Sequence, residues 1–350
     1  MLRLRFKKHS DNYIKNLGHQ PGGISALAVS NQVVIASAKD ANDIKIWNAI
    51  TGDNIGILKE STAQIKNLAI SDKNNLIAST DEKGDKIILW KVSDMKKLLI
   101  INCRKQVTAL AFAPGEKLLA LGEKNGEVQL VELPSGEEKG ILSVSSELVN
   151  KSDTPPRMDI KQLAISVSGN HLAALYGFES IVSIWKLRDK QLSTDLMVIP
   201  YKPFSICFSP DNNYLLVTGF SMKLEMNASG DITSLSNIKG GILVRELSSG
   251  ITKMVTADKM IFPQGAWSTD GKNITVLALF PTPRQGQAMA ALYTYPLIKI
   301  LEKNLGNPIN KVNLNNVDLF ESISSSAFSP SGSHFAMYAK QNLFLYGSQI

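Results

Sequence analysis

Seven times along a chain of 350 residues a short phrase returns: a small residue, a large apolar one, then in most copies serine. The copies read ISALAVS (24–30), IKNLAIS (65–71), VTALAFA (107–113), IKQLAIS (160–166), PFSICFS (203–209), PQGAWS (263–268) and SSSAFS (324–329). Their small residues, Ala28, Ala69, Ala111, Ala164, Cys207, Ala266 and Ala327, fall 41, 42, 53, 43, 59 and 61 positions apart. Length alone would suggest two domains, but a period near 40 is the mark of a repeat architecture and overrides that expectation.

The residues after each phrase identify the repeating unit. Six copies run into a turn of Gly, Pro, Asp, Asn and Ser (SDKNN, APGEK, SVSGN, SPDNN, STDGK, SPSGS), and the first uses a shorter SNQ. Such residues supply the dihedrals of a short hairpin loop. A second apolar strand comes next, as in VVIASA or YLLVTG, and then a third, as in IKIW, IILW or VSIWKL. A further turn such as ITGD or LPSGE leads to a fourth. The apolar period is two throughout and breakers recur too often for helices. Four antiparallel strands cannot bury both faces alone, but seven such sheets set radially bury each other. The chain therefore reads as all-β, a single seven-bladed β-propeller over 1–350. The blades fall near 17–62, 63–104, 105–144, 159–200, 201–257, 262–301 and 323–347, the last completed by 2–6.

The stretch LGH…ISALAVS…IASA…IKIW resembles a WD40 repeat, whose Gly-His pair ends the link into the inner strand. In that family the His bonds a Ser or Thr of the second strand and an Asp of the next turn, beside the Trp of the third. The resemblance implies a structural tetrad of His19, Ser37, Asp40 and Trp47; Asp40 and Asp43 flank the expected Asp place, which is Ala41. Trp90 and Trp185 repeat the Trp, but Asn48, Lys91 and Lys186 replace the Asp that should follow it, and no other blade has the His. The repeats are degenerate. The likeness spans residues 17–346 and implies a propeller that binds proteins and does no chemistry.

The seventh blade reaches its third strand at NLFLY (342–346) and needs a fourth, since an open sheet exposes backbone donors and acceptors. LRLRF (2–6) has the alternation to supply it, with Leu2, Leu4 and Phe6 inward. The competing reading of this segment is a basic arm in which Arg3, Arg5, Lys7 and Lys8 contact anionic lipid or RNA. Of a net charge of +7, residues 1–20 carry +4, and the remainder is near balance. DNA is not expected as a partner, because a dedicated binder spreads Lys and Arg over a whole face.

In an up-and-down sheet with strands a to d, the a–b and c–d turns lie at one end. The b–c turns and the d-to-a links lie at the other. Four long segments, 145–158, 220–240, 280–289 and 301–322, all fall by this parity at the second end, between blades 3 and 7. That rim is read as the partner-binding surface. Its candidate anchors are Phe220, Met222, Met226, Phe280, Arg284 and Phe320, since aromatic, Met and Arg side chains carry most interface energy. For each one the bland alternative is packing on its own blade.

No catalytic motif is present: no metal-binding Cys/His cluster, no phosphate loop, no nucleophile elbow. No catalytic, cofactor or metal residue is assigned and no cofactor is expected. A propeller hydrolase or lactonase would need polar, ionisable groups at the inner ends of several a strands, where Ile, Ala, Leu, Phe and Ser stand instead. There is no secretory signal and no apolar run long enough to span a bilayer. The expectation is a cytoplasmic, monomeric scaffold or adaptor that binds one or more proteins, alone or as the subunit of a complex.

Overall fold

A computed structural model describes residues 12–20, 22–38, 42–59, 63–144, 158–177, 180–189, 191–192, 197–226, 232–282, 287–314, 317–318, 326–339 and 341–348. They form seven separate antiparallel sheets, five of four strands and two of five. Blade 1 runs β2 (Ile24–Val29), β3 (Val33–Ala38), β4 (Asp43–Asn48) and β5 (Asn54–Lys59). Blade 2 runs β6 (Ile65–Ile70), β7 (Leu76–Asp81), β8 (Lys86–Lys91) and β9 (Lys96–Asn102). In blade 3 the order is β10 (Val107–Phe112), β11 (Leu118–Glu123), β12 (Val128–Glu132) and β13 (Glu138–Leu142). Blade 4 has β14 (Ile160–Ile165), β15 (His171–Tyr176) and β16 (Ile181–Lys186), then a fourth strand in two pieces, β17 (Gln191–Leu192) and β18 (Met197–Val198).

Blade 5 is larger, with β19 (Lys202–Phe208), β20 (Tyr214–Met226), β21 (Ile232–Glu246) and β22 (Thr252–Asp258). Blade 6 has β23 (Ile261–Trp267), β24 (Asn273–Pro281), β25 (Gln287–Pro296), β26 (Asn310–Asn313) and β27 (Val317–Asp318). Blade 7 consists of β28 (Ser326–Phe328), β29 (His334–Ala339) and β30 (Asn342–Ser348), closed by β1 (Asn12–His19). The core is not one mass. It is a series of apolar seams between adjacent sheets, such as Leu17, Ile24, Val34, Trp47, Leu343 and Leu345 where blade 7 meets blade 1.

The recurring serine has a physical reason. In six blades the hydroxyl oxygen of the serine ending strand a accepts the N–H that opens strand b. The pairs are Ser30 with Val33, Ser71 with Leu76, Ser166 with His171, Ser209 with Tyr214, Ser268 with Asn273 and Ser329 with His334, at 2.9–3.0 Å. Each clamps an a–b turn and satisfies a donor that the hairpin cannot reach. These turns also tie blade to blade. Ser331 donates to Asn31 across the 7–1 seam, Asn74 to Gln32, the Gly115 N–H to Asp72, and the Ser168 N–H to Asn212.

Two features depart from the expectations of the sequence. The ends of the chain do close the ring, but through Asn12–His19, not 2–6. The strand pairs with β30 from Asn12↔Ser348 to His19↔Asn342, with Leu17 buried in the seam. Residues 2–6 lie outside the described residues. Gly18-His19 pairs with β30 and so belongs to the seventh sheet, and blade 1 begins at Ile24. Second, the fourth strand of blade 6 is Asn310–Asn313, beyond the 301 boundary. The run LIKIL, which closes the expected 262–301 span of blade 6, is a short helix, α1 (Leu297–Leu301), that seats Ile300 in the blade 5–6 seam. A five-residue apolar run is ambiguous between strand and helix, and Pro296 ends the preceding strand. Residues 301–309 therefore join c to d and lie at the opposite end from the b–c segments of blades 5 and 6.

Candidate interaction rim

Two of the four long segments are not loops but continuations of blade strands. In blade 5 the fourth strand stops pairing at Lys239↔Asp258, while β20 and β21 stay paired as far as Met226↔Ile232. A two-stranded ribbon thus continues from Ser221 to Met226 and back, roughly 20 Å of strand at about 3.3 Å per residue. Blade 6 also extends its b–c hairpin, with Phe280↔Met289 and Pro281↔Ala288 continuing the β24–β25 ladder, but there β27 stays paired alongside at Ala288↔Val317 and Gln287↔Asp318.

Glycines make the ribbon's exit possible. A Cβ on Gly241 would stand 2.3 Å from Cε1 of Tyr201, and one on Gly219 would stand 2.2 Å from the Lys202 carbonyl oxygen. The Tyr201 ring fills the space these residues leave open, and its hydroxyl donates to the Val217 carbonyl at 3.0 Å. By composition Gly240-Gly241 reads as part of a loop. Paired glycines within a strand are instead a signal of close approach, and this one is visible in the sequence.

The candidate anchors separate. Phe220 is 5% exposed and stacks on Phe204 at 5.1 Å, so it is core and is removed from the anchors as a correction. Met222 is half-buried and packs with Ile238 on the seam between blades 5, 6 and 7. Phe280 is half-buried, edge-on to Tyr293 at 5.8 Å. Met226 sits at the ribbon tip opposite Ile232. Arg284 and Phe320 lie outside the described residues, as do 145–157. Sequence reasoning misses Met289, which is 54% exposed on the blade 6 hairpin, one position from the buried Ala288 and Ala290. The signal for it is the alternation along QAMAAL.

The implied tetrad does not assemble. His19 is exposed at the end of β1, and Asp40 lies outside the described residues. Ser37 is fully buried, but its hydroxyl has no partner among the described residues, although Trp47 is buried in the same blade. The neighbouring residue Gln20 holds the joint instead. Its N–H donates to the Gln341 carbonyl, its carbonyl accepts from the Tyr338 hydroxyl (both 2.7 Å), and its side-chain oxygen accepts from Lys45 at 3.0 Å. The Trp–Ser half of the device appears one blade on, where Trp90 Nε1 donates to Ser79 Oγ at 2.9 Å.

The electrostatics of the same end are local. At the blade 3 turn Lys105 bridges Glu127 and stands 3.7 Å from Glu123. Burial nevertheless pushes the Glu123 carboxyl above its ordinary value. On the ribbon Lys239 faces Asp258 at 3.7 Å. Burial raises both thiols, Cys103 to about 11 and Cys207 to about 12, which keeps them protonated and poor nucleophiles. Among the described residues no group of His, Cys, Asp and Glu is placed to hold a metal, and no helix is long and apolar enough to cross a membrane.

Radial four-stranded sheets with serine-clamped turns and a Trp–Ser bond define the class: the chain is a seven-bladed β-propeller with WD40-like repeats. Comparison with known proteins agrees. The family model described as the anaphase-promoting complex subunit 4 WD40 domain matches residues 68–158, which spans blades 2 and 3. The chain is similar to the Periodic tryptophan protein 2 of Saccharomyces cerevisiae, 24% identical over 127 residues, 36% of this chain and 14% of that protein. Among solved structures it superposes on a chain of the hydrazine synthase of Kuenenia stuttgartiensis with a TM-score of 0.68. That likeness covers 94% of this chain and 96% of the other at 12% identity, and it speaks to the fold alone.

Proposed function

We propose that the protein is a non-catalytic interaction platform, a scaffold or adaptor subunit, whose protein partner lies on the rim carrying the blade 5 ribbon and the blade 6 hairpin. The observation that carries this reading is the pair of strand extensions at one end of neighbouring blades. A loop that drifts in length has no reason to stay paired, whereas a paired ribbon presents side chains on a rigid base, which lowers the ordering cost of binding. Met226, Met289 and Arg284 are the anchors we put forward, with Met222 and Phe280 bracing the ribbon and hairpin from below. The two free cysteines accord with a reducing compartment, the cytoplasm expected from the sequence.

The test is affinity capture with wild type beside a variant in which 223–236 is replaced by an Asn-Gly turn. Met222 and Ile238 are retained because they pack the core. The expected outcome is an unchanged melting temperature and the loss of specific partners. Recovery of the same set of proteins from both would end the rim reading.

A further inference from the structure

At the opposite end of the molecule a crevice of about 700 Å³ opens between blades 2 and 3. Its walls are apolar, with Leu76 and Leu98 from blade 2 and Leu133-Pro134 from blade 3, and Lys91 and Lys117 also line it. Leu98 lies on β9, which pairs with β8 along one edge and with no described strand along the other. A β-bulge sets Lys97 and Leu98 together opposite Trp90, and two large apolar side chains of this outer strand face solvent, Leu98 at 46% and Ile100 at 51%.

The outer strand does not have to look like this. Ile57, Ile100 and Ile141 occupy one register position in blades 1, 2 and 3, and all three are exposed. The matching places in blades 6 and 7 hold Lys311 and Asn16. A polar residue serves the fold there, so burial inside the propeller does not explain the isoleucines. In blade 2 such an edge adjoins an apolar crevice.

Charge decides what fits. β9 opens with Lys96 and Lys97, and the crevice adds Lys91 and Lys117. Against these stand Asp94, bonded to Lys91 at 2.9 Å, and Glu116, whose carboxylate accepts from the Ser71 hydroxyl and the Asn75 amide. A second copy is a poor occupant. β9 carries two lysines and no acid, so a second β9 brings no carboxylate to meet them, and lysines with a bulge are how edges repel their own kind. An acidic strand meets no such barrier.

We propose that blade 2 takes up an extended, acidic segment of a partner protein as a fifth strand along β9. Backbone hydrogen bonds hold it, a leucine-sized side chain sits beside Leu98 in the crevice, and carboxylates face Lys96 and Lys97. This site is separate from the rim and does not depend on it.

The probe is a short fluorescein-labelled peptide of alternating Glu and Leu, with a Lys-Leu peptide as counterpart, followed by anisotropy at low and moderate salt. The acidic peptide should bind, lose about ten-fold or more in affinity with K96E/K97E, and yield to the basic peptide in that variant. L98D should also weaken it, whereas I141D, outside the crevice, should not. Bound peptide should slow amide exchange across Lys96–Asn102. Thermal unfolding checks that L98D folds; if it does not, the surface pair K96E/K97E carries the test. The proposal is overturned if the acidic peptide does not bind, if both peptides bind wild type equally, or if K96E/K97E leaves binding unchanged. Unaltered exchange of β9 overturns it too, as does self-association of the wild type that L98D abolishes, which would make a second copy the occupant. The ribbon-shortened variant should bind the acidic peptide as wild type does, so this site and the rim fail separately.

Discussion

Two buried serines on the second strands of neighbouring blades, one register place apart, have opposite fates: Ser79 matches Ala36 of blade 1, and Ser37 matches Thr80 of blade 2. Ser79 Oγ receives the Trp90 indole N–H, while the Ser37 hydroxyl, on the face of β3 away from Trp47, has no partner among the described residues. Removing an acceptor leaves a buried donor uncompensated by solvent, at a cost of about 1–3 kcal/mol, whereas removing a hydroxyl that bonds nothing costs little. Ser79→Ala should therefore lower stability by about that amount, and Ser37→Ala should leave it unchanged or raise it. Chemical denaturation of the two variants side by side checks this, and equal losses would refute it. The contrast marks how far a resemblance can be carried at this scale. The WD40-like residues of blade 1 are present in order, yet His19 turns to solvent and the hydrogen bond expected there forms in blade 2, which lacks the His. Pattern decides which strand each residue joins; side-chain geometry is decided by what packs beside it.

At the scale of the element, strands are legible wherever the period of two meets a turn. The serine phrase marks the a strands, and the clamps on the N–H groups that open the b strands account for its persistence. Two kinds of element are hidden. A helix of five residues, Leu297–Leu301, carries too few turns to show a period, so its apolar residues read as strand and the outer strand at Asn310–Asn313 reads as linker. The blade 5 ribbon reads as a loop because Ser, Asn and Gly are turn residues by composition, although the chain there keeps its ladder. Its glycines give the element-scale prediction. Gly241→Ala would drive a methyl into the Tyr201 ring, within 2.3 Å of Cε1, and the ring is itself buried and hydrogen-bonded. Overpacking of this kind costs about 1–3 kcal/mol. A fall in melting temperature is expected, relieved in part by Tyr201→Leu in the same chain; no fall would mean that the ring moves freely.

At the scale of the molecule, the architecture is legible because a period repeated seven times averages out the weakness of any single copy. Closure by the two ends is also foreseeable, from the count of strands. Which residues close is not, since LRLRF has the cleaner alternation, whereas the strand that pairs, NYIKNLGH, sets Tyr13 beside Ile14 and shifts register between Asn16 and Gly18. Leu17 is the residue that commits β1 to the seam, packed with Leu343 and Leu345. Leu17→Ala should cost about 2–4 kcal/mol, as large-to-small core changes do. Because each blade leans on the next, that loss should lower the midpoint of a single cooperative transition rather than melt blade 7 alone. Circular dichroism and tryptophan fluorescence followed together would tell these apart, and divergent curves would refute the cooperative account.

The side-chain bond between Asn16 and Asn342 spans 326 positions of sequence. During synthesis β1 has no mate until β30 has emerged, so an emerging propeller exists for most of its making as an unfinished arc with one bare apolar flank at either end. Whatever guards those flanks, a chaperone or simply speed, acts before the toroid exists, and shortening either terminus past the seam leaves that exposure permanent.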